Sequence, residues 1–152
     1  MLIEPKRFGD DRGHFVEIFN QARFQAECVS FSPMQENQSL LRFTGTVRGL
    51  HFQREPFAQA KLVRVLRGSI FDVAVDIPPS SITFGKLVGV QLSAENGHEL
   101  FIPTGVAHGF YTLGSVDKMP DPKADAGDEN EAKITVRGLI VAGGQASTVL
   151  EF

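Results

Sequence analysis

Residues 86–103 read KLVGVQLSAENGHELFIP. Apolar residues fill both ends, and Asn96-Gly97 stands between them. Both residues of an Asn-Gly pair tolerate positive φ, which a two-residue hairpin turn requires, so the stretch predicts two strands joined by a tight turn. Residues 61–77, KLVRVLRGSIFDVAVDI, have the same form. Two apolar runs break at Arg67-Gly68-Ser69, a second hairpin signal. Further out, HFVEIFN (14–20) sets Phe15, Glu17 and Phe19 against Val16 and Ile18, and HGFYTL (108–113) reads as another strand. Only NQARFQAEC (20–28) suggests a short helix. Strands at regular spacing with tight turns predict an all-β sandwich or small barrel.

The rest of the composition narrows the classes. The chain has 152 residues, enough for one domain with a sizeable core. Hydrophobic residues make up 42% and the net charge is -3, which favours neither a nucleic-acid footprint nor an anionic membrane surface. No apolar run approaches the roughly 20 residues of a spanning helix. A single cysteine, Cys28, cannot form an internal disulfide, so a reducing cytoplasm is expected. The N-terminus is charged and lacks the apolar core of a signal peptide. Residues 115–133, SVDKMPDPKADAGDENEAK, hold six acids, three lysines and almost no large apolar side chain. Such a stretch buries little surface and is expected to be a disordered loop or tail. The expected organisation is a barrel core over 1–114, this acidic segment, and a C-terminal segment 134–152 that is one more strand or an apolar tail.

Two histidines stand at a telling spacing. Gly45 is followed after five residues by His51 and then, one residue further, by Gln53. Gly97 is followed after five residues by Pro103, then by Gly105 and His108. This resembles the paired motifs of the cupin superfamily, which implies a jelly-roll β-barrel. The second motif ends in Thr112 instead of asparagine. The first has Gln53 in place of a second histidine and no glutamate near Phe57 or Ala58. Two of four metal ligands remain, too few for a tight transition-metal site, so no metal is expected and a metal-dependent oxygenase is disfavoured. Satisfied core histidines are the bland alternative. The sharper reading is a barrel cavity holding bases suited to proton abstraction near neutral pH.

Six blocks in order, FGDDRGHFVEIF, QENQS, GTVRGLHFQ, AQAKLVRVLRGSIFDVAVDI, TFGKLVGVQLSAEN and FIPTGVAHGF, resemble the dTDP-4-dehydrorhamnose 3,5-epimerase family over about Phe8 to Leu113. The resemblance implies an isomerase of dTDP-rhamnose biosynthesis, which feeds lipopolysaccharide, acting on dTDP-4-dehydro-6-deoxyglucose. It implies no cofactor and a homodimer. By the same resemblance His51 is the base and Lys61 stabilises the enolate. His108 faces their cavity, and Arg12, Glu17, Gln35, Asn37 and Arg48 bind the nucleotide-sugar. Epimerisation beside a ketone needs a base, a group holding the enolate oxygen and an acid on the opposite face. Without the family, a surface strand lysine is the commoner reading of Lys61, and Arg12 and Arg48 would equally be solvated surface arginines.

Strand parity adds three expectations. Arg48 and His51 fall on opposite faces of a regular strand, so a shared substrate requires a bulge or bend at Gly49. Tyr111, the chain's single tyrosine, points away from the His108 cavity. Asp72 and Asp76 share a face and are expected to be solvated, with partnership to a histidine as the less favoured option.

The ends depart from the family. The chain begins inside the family's N-terminal region, which bears on the first edge strand and the dimer contact. The family's acid tyrosine, its base-stacking tyrosine and the aspartate that orients the base are not found after Leu113. The alternatives are therefore an impaired or non-catalytic nucleotide-sugar-binding cupin, or a related deoxysugar 3-epimerase or ketoisomerase.

Overall fold

The computed structural model describes residues 1–27, 29–113, 132–138 and 148–149. Their twelve strands form two five-stranded sheets and a separate two-stranded ribbon, with one helical turn and a half between. One sheet has the order β1 (Leu2–Ile3), β9 (Glu99–Ile102), β6 (Lys61–Arg67), β11 (Ala132–Gly138), β4 (Gln35–Leu41). The other has the order β12 (Thr148–Val149), β5 (Val47–Phe52), β10 (Val106–Leu113), β7 (Ser69–Asp76), β8 (Leu87–Ser93). The antiparallel pairs are nested: β7 with β8, β6 with β9, β5 with β10, β4 with β11. Successive pairs alternate between the sheets, which is the rolled ladder of a jelly roll. The all-β cupin expectation holds.

Both expected tight hairpins are instead crossings between sheets. β6 and β7 flank Gly68 but pair with other strands, and so do β8 and β9 around Asn96-Gly97. The physical reason lies in burial on both sides of the strands. Val63 and Val65 of β6 pack between the sheets, while Leu62 packs outward under the helix. Strands covered on both faces satisfy more apolar surface in different layers than folded flat on each other. The positive φ expected of Gly97 is present, at 63°. Asn96 holds the turn, its Oδ1 accepting from the Ser93 and His98 amides at 3.0 and 2.9 Å. A Cβ on Gly97 would lie 2.2 Å from the Arg7 guanidinium, which donates to the Ala94 carbonyl at 3.0 Å and to that of Glu95. Glycine there lets Arg7 tie the ribbon of β2 (Arg7–Asp10) and β3 (Gly13–Val16) to the barrel.

The core between the sheets is Leu41, Val63, Val65, Ile70, Leu92, Leu100, Ile102 and Ile134. Each such aliphatic side chain contributes about 1.5–3 kcal/mol when fully buried. Ile134 matters for the C-terminal segment. It lies 1% exposed on β11, a central strand of its sheet, so residues beyond the expected 1–114 core complete the barrel. β11 begins at Ala132, inside the stretch expected as a loop; residues 115–131 lie outside the described residues.

The short helix α1 (Gln21–Ala26) is where the sequence predicts it. Asn20 caps it, its Oδ1 accepting from the Ala22 and Arg23 amides at 3.1 and 3.3 Å. Phe24 turns its ring onto Phe31 and Phe101, forming a second apolar cluster outside the first sheet. No described helix is long and apolar enough to cross a membrane.

Candidate active site

Alternation along the strands decides what faces the space between the sheets. On β6, Lys61 shares a face with Val63 and Val65; on β7, Asp72 shares a face with Ile70 and Ala74. On β10, His108 shares a face with Phe110 and Thr112. Lys61, Asp72 and His108 are 7%, 0% and 1% exposed. They form a polar cluster at one end of an otherwise apolar interior.

His51 joins them through register. It pairs directly with His108 across β5 and β10, and their rings stand 4.6 Å apart at 47°. The register then slips: His108 opposes His51, but Phe110 opposes Arg48. Three steps on β5 match two on β10, which is the expected bulge at Gly49-Leu50. It brings Arg48 onto the His51 face. Gly109 makes room for it, since a Cβ there would lie 2.7 Å from the Arg48 carbonyl oxygen and 2.9 Å from the Gly49 carbonyl carbon. The glycine of HGF is thus a site-shaping residue that motif reading passed over.

The expected solvation of Asp72 is overturned. Its carboxylate accepts from His108 Nδ1 at 3.3 Å inside the barrel. The signal was available: in SIFDVAVD both faces are apolar, so the acid had to be buried somewhere. A buried carboxylate persists only with a partner. Asp76 is half-buried and binds the Ser81 and Thr83 hydroxyls of its own loop, which hold its pKa down. Tyr111 points outward as expected, 42% exposed and packed beside Phe71. Thr112, the departure from the second motif, is buried and structural. Its Oγ1 donates to the Phe43 carbonyl at 2.7 Å and accepts from the Thr46 amide at 2.9 Å, fixing the turn that leads into β5.

Burial and neighbouring charges tune three groups. Burial, reinforced by the Lys61 charge, lowers the His51 pKa from 6.5 to about 4, so its imidazole is neutral at pH 7. Its Nδ1 lies 3.2 Å from the Gly49 carbonyl, which favours a proton there and leaves Nε2 as the free acceptor. Burial lowers Lys61 to about 8, with Asp72 opposing the shift, so the ammonium is mainly charged at pH 7. Burial raises Asp72, and His108 and Lys61 oppose it. A neutral acceptor beside a fixed cation suits proton removal from a carbon whose carbanion is delocalised onto oxygen. Among the described residues no three His, Cys, Asp or Glu side chains converge as a metal site.

The nucleotide-sugar candidates divide. Gln35 and Asn37 share the inner parity of β4 with Leu41 and join through a 2.7 Å hydrogen bond. Gln35 and Lys61 both register against Gly138 of β11, one on each side, at the same level of the barrel. Gln35 Oε1 and His108 Nε2 are buried without hydrogen-bond partners among the described residues. Arg12 and Glu17 are not with them. Arg12 sits at the ribbon tip, 89% exposed, bonded to Asp10 at 2.6 Å. The Glu17 carboxylate accepts from Asn20 and Arg23 in a groove of about 350 Å³ outside the barrel, lined by Ile3, Phe19 and Phe24 among others.

The barrel, its paired motif histidines and the buried lysine define a cupin whose interior is arranged for acid–base chemistry. The sequence pattern of the dTDP-4-dehydrorhamnose 3,5-epimerase family matches residues 1–120, and the chain belongs to that family. Relatives of that name from Sinorhizobium fredii and Escherichia coli are 54% and 52% identical over 74% and 76% of the chain. The chain spans 57% and 63% of their lengths. The Bacillus anthracis dTDP-4-dehydrorhamnose 3,5-epimerase, solved with TDP and PPi bound, superposes with a TM-score of 0.83 at 37% identity, over 98% of this chain and 77% of that one. The Legionella pneumophila enzyme, in complex with dTDP-4-keto-L-rhamnose, gives 0.82 and 37% over 99% and 72%.

Proposed function

We propose that the chain epimerises C3 and C5 of dTDP-4-dehydro-6-deoxy-D-glucose, giving dTDP-4-dehydro-L-rhamnose for rhamnose-containing carbohydrate. The observation that carries this reading is the neutral His51 packed against His108 near the buried Lys61 ammonium. His51 removes the proton on the carbon beside the C4 ketone. The electrons move onto the ketone oxygen, and Lys61 stabilises the resulting enolate. That negative charge also raises the proton affinity of His51 as the proton moves, offsetting its depressed resting pKa. His108, held by Asp72, lines the same cavity. Gln35, Asn37 and Arg48 hold the nucleotide-sugar, with Arg48 suited to the diphosphate.

The acid that completes each inversion is the weak point. The single tyrosine faces outward, so the proton-removal half of the reaction has better support than the return half. Loss of a paired acid costs about 10²- to 10⁴-fold in rate. The second reading is therefore a family member that exchanges protons without efficient inversion. NMR of the substrate in D₂O separates the two. Deuterium at C3 and C5 with the L-configured product supports the epimerase. Deuterium with unchanged configuration supports the second reading. No deuterium, with the nucleotide-sugar bound, removes both.

We infer a homodimer. The β2–β3 ribbon pairs with no other described strand and exposes Phe8 and Phe15, 56% and 70%, opposite each other. An isolated two-stranded ribbon is marginal in water, and an exposed aromatic pair favours docking onto a second copy. Arg12 and Glu17 would then serve the neighbour's site. The single cysteine supports a reducing, cytoplasmic setting.

A further inference from the structure

Gln53 stands two residues after His51, and its Oε1 is buried with no hydrogen-bond partner among the described residues. Its direction follows from its neighbours. The Arg54 guanidinium lies 5.7 Å over the Phe52 ring, and Arg54 is exposed, so the two flanking side chains occupy the outer side of the chain. Continued past the end of β5 at Phe52, the same alternation would turn Gln53 to the opposite side, the side of His51. Leaving such an acceptor unpaired costs about 1–3 kcal/mol, and buried polar atoms in folded proteins are nearly always paired. The orphan stands two residues along the chain from the proposed base, and its side chain is neutral. A carboxylate there would pull the His51 pKa up, and a second cation would push it down further. An amide offers hydrogen bonding without disturbing the base.

An amide oxygen accepts and the amide nitrogen donates, and the group that can answer either is a hydroxyl. We propose that Gln53 is a substrate-contacting residue that hydrogen-bonds a hydroxyl of the bound hexose and holds the ring in register with His51. This rests on the reading of the barrel interior as the sugar site. It makes Gln53, in place of the second motif histidine, a sugar ligand.

The test is calorimetry of dTDP and of dTDP-glucose binding to the wild-type chain and to Gln53→Met, which keeps length and removes the acceptor. Loss of one neutral hydrogen bond weakens dTDP-glucose binding by about 3- to 10-fold. Affinity for dTDP stays unchanged, because that ligand has no sugar to lose. The free variant melts at the same temperature or higher, since the unpaired atom is gone. A Gln53 that only supports the fold gives the opposite pattern: a lower melting temperature and equal weakening of both ligands. That pattern, or unchanged dTDP-glucose affinity, overturns the proposal. The outcome is separable from the fate of the epimerase reading. A sugar-specific loss in a chain that exchanges no substrate proton keeps Gln53 and removes His51 as base. Binding of neither nucleotide to the wild-type chain overturns both.

Discussion

The barrel interior and the β2–β3 ribbon both carry residues matched to one nucleotide-sugar, yet they are built in opposite ways. His51, Lys61, Asp72 and His108 come from four strands in two sheets, and each is held by ladder register and packing. Arg12 and Glu17 come from a segment tied to the barrel chiefly through Arg7 and the helix, and they bond to their own neighbours. Within one chain the interior already brings His51, Lys61, Asp72 and His108 together. In the proposed homodimer, the ribbon residues would act only where a second copy meets them. The proposed proton chemistry, which needs closely placed groups, sits on paired strands, whereas the proposed grip on the charged end of the ligand sits on a separate two-stranded ribbon.

The largest effect tests the interior. His51→Asn should lower deuterium incorporation from D₂O by about 10²-fold or more while the barrel stays folded by circular dichroism. Incorporation at the wild-type rate would remove His51 as base. Next come substitutions that disturb its setting. Asp72→Ala leaves His108 Nδ1 buried without its acceptor and should cost about 1–3 kcal/mol of stability in urea unfolding. Gly109→Ala forces a Cβ onto the β5 backbone and should cost a similar ~1–3 kcal/mol, with exchange falling as the bulge shifts His51. Full stability and full exchange in Gly109→Ala would show that the bulge is not what positions the base.

The ribbon should respond more weakly. Arg12→Ala is expected to weaken dTDP binding about tenfold by calorimetry, the loss of one charge-assisted contact, with deuterium incorporation at saturating substrate unchanged. A Phe8→Ser/Phe15→Ser chain should run as a monomer in analytical ultracentrifugation and show the same weakening. A dimeric double variant would place the interface elsewhere. The smallest effect is a pH slope. His51 binds a proton at about 4 when folded and near 6.5 when unfolded, so the unfolded chain takes up more protons between those values. Stability is full above pH 6.5 and declines as pH falls toward 4. Thermal melts of His51→Asn should show a shallower decline in that window. On the alkaline side, proton exchange should fall as pH rises through about 8, where Lys61 loses its charge.

Much of the site was legible in the order of residues. The glycine–histidine spacings located His51 and His108, parity demanded the bulge at Gly49, and parity turned Tyr111 outward. Asp72 was misjudged because alternation says which residues share a face and not which face is covered. Its partner lies 36 residues away, and no local pattern shows that the two strands lie side by side. Gln53 was legible only as a departure from a motif; that its amide oxygen is orphaned depends on every neighbour around it.

The sequence by itself determined the all-β class, the positions of chain reversal, the short helix, the family and the residue types of the cluster. These follow from alternation, turn chemistry and spacing, which are local. Only the tertiary structure decided that β6 and β7, or β8 and β9, part into different sheets, and that a strand near the C-terminus closes the gap between β4 and β6. It alone decided that Arg12 and Glu17 stand away from His51. Those outcomes depend on which distant apolar faces bury most completely against each other, a property of the whole barrel.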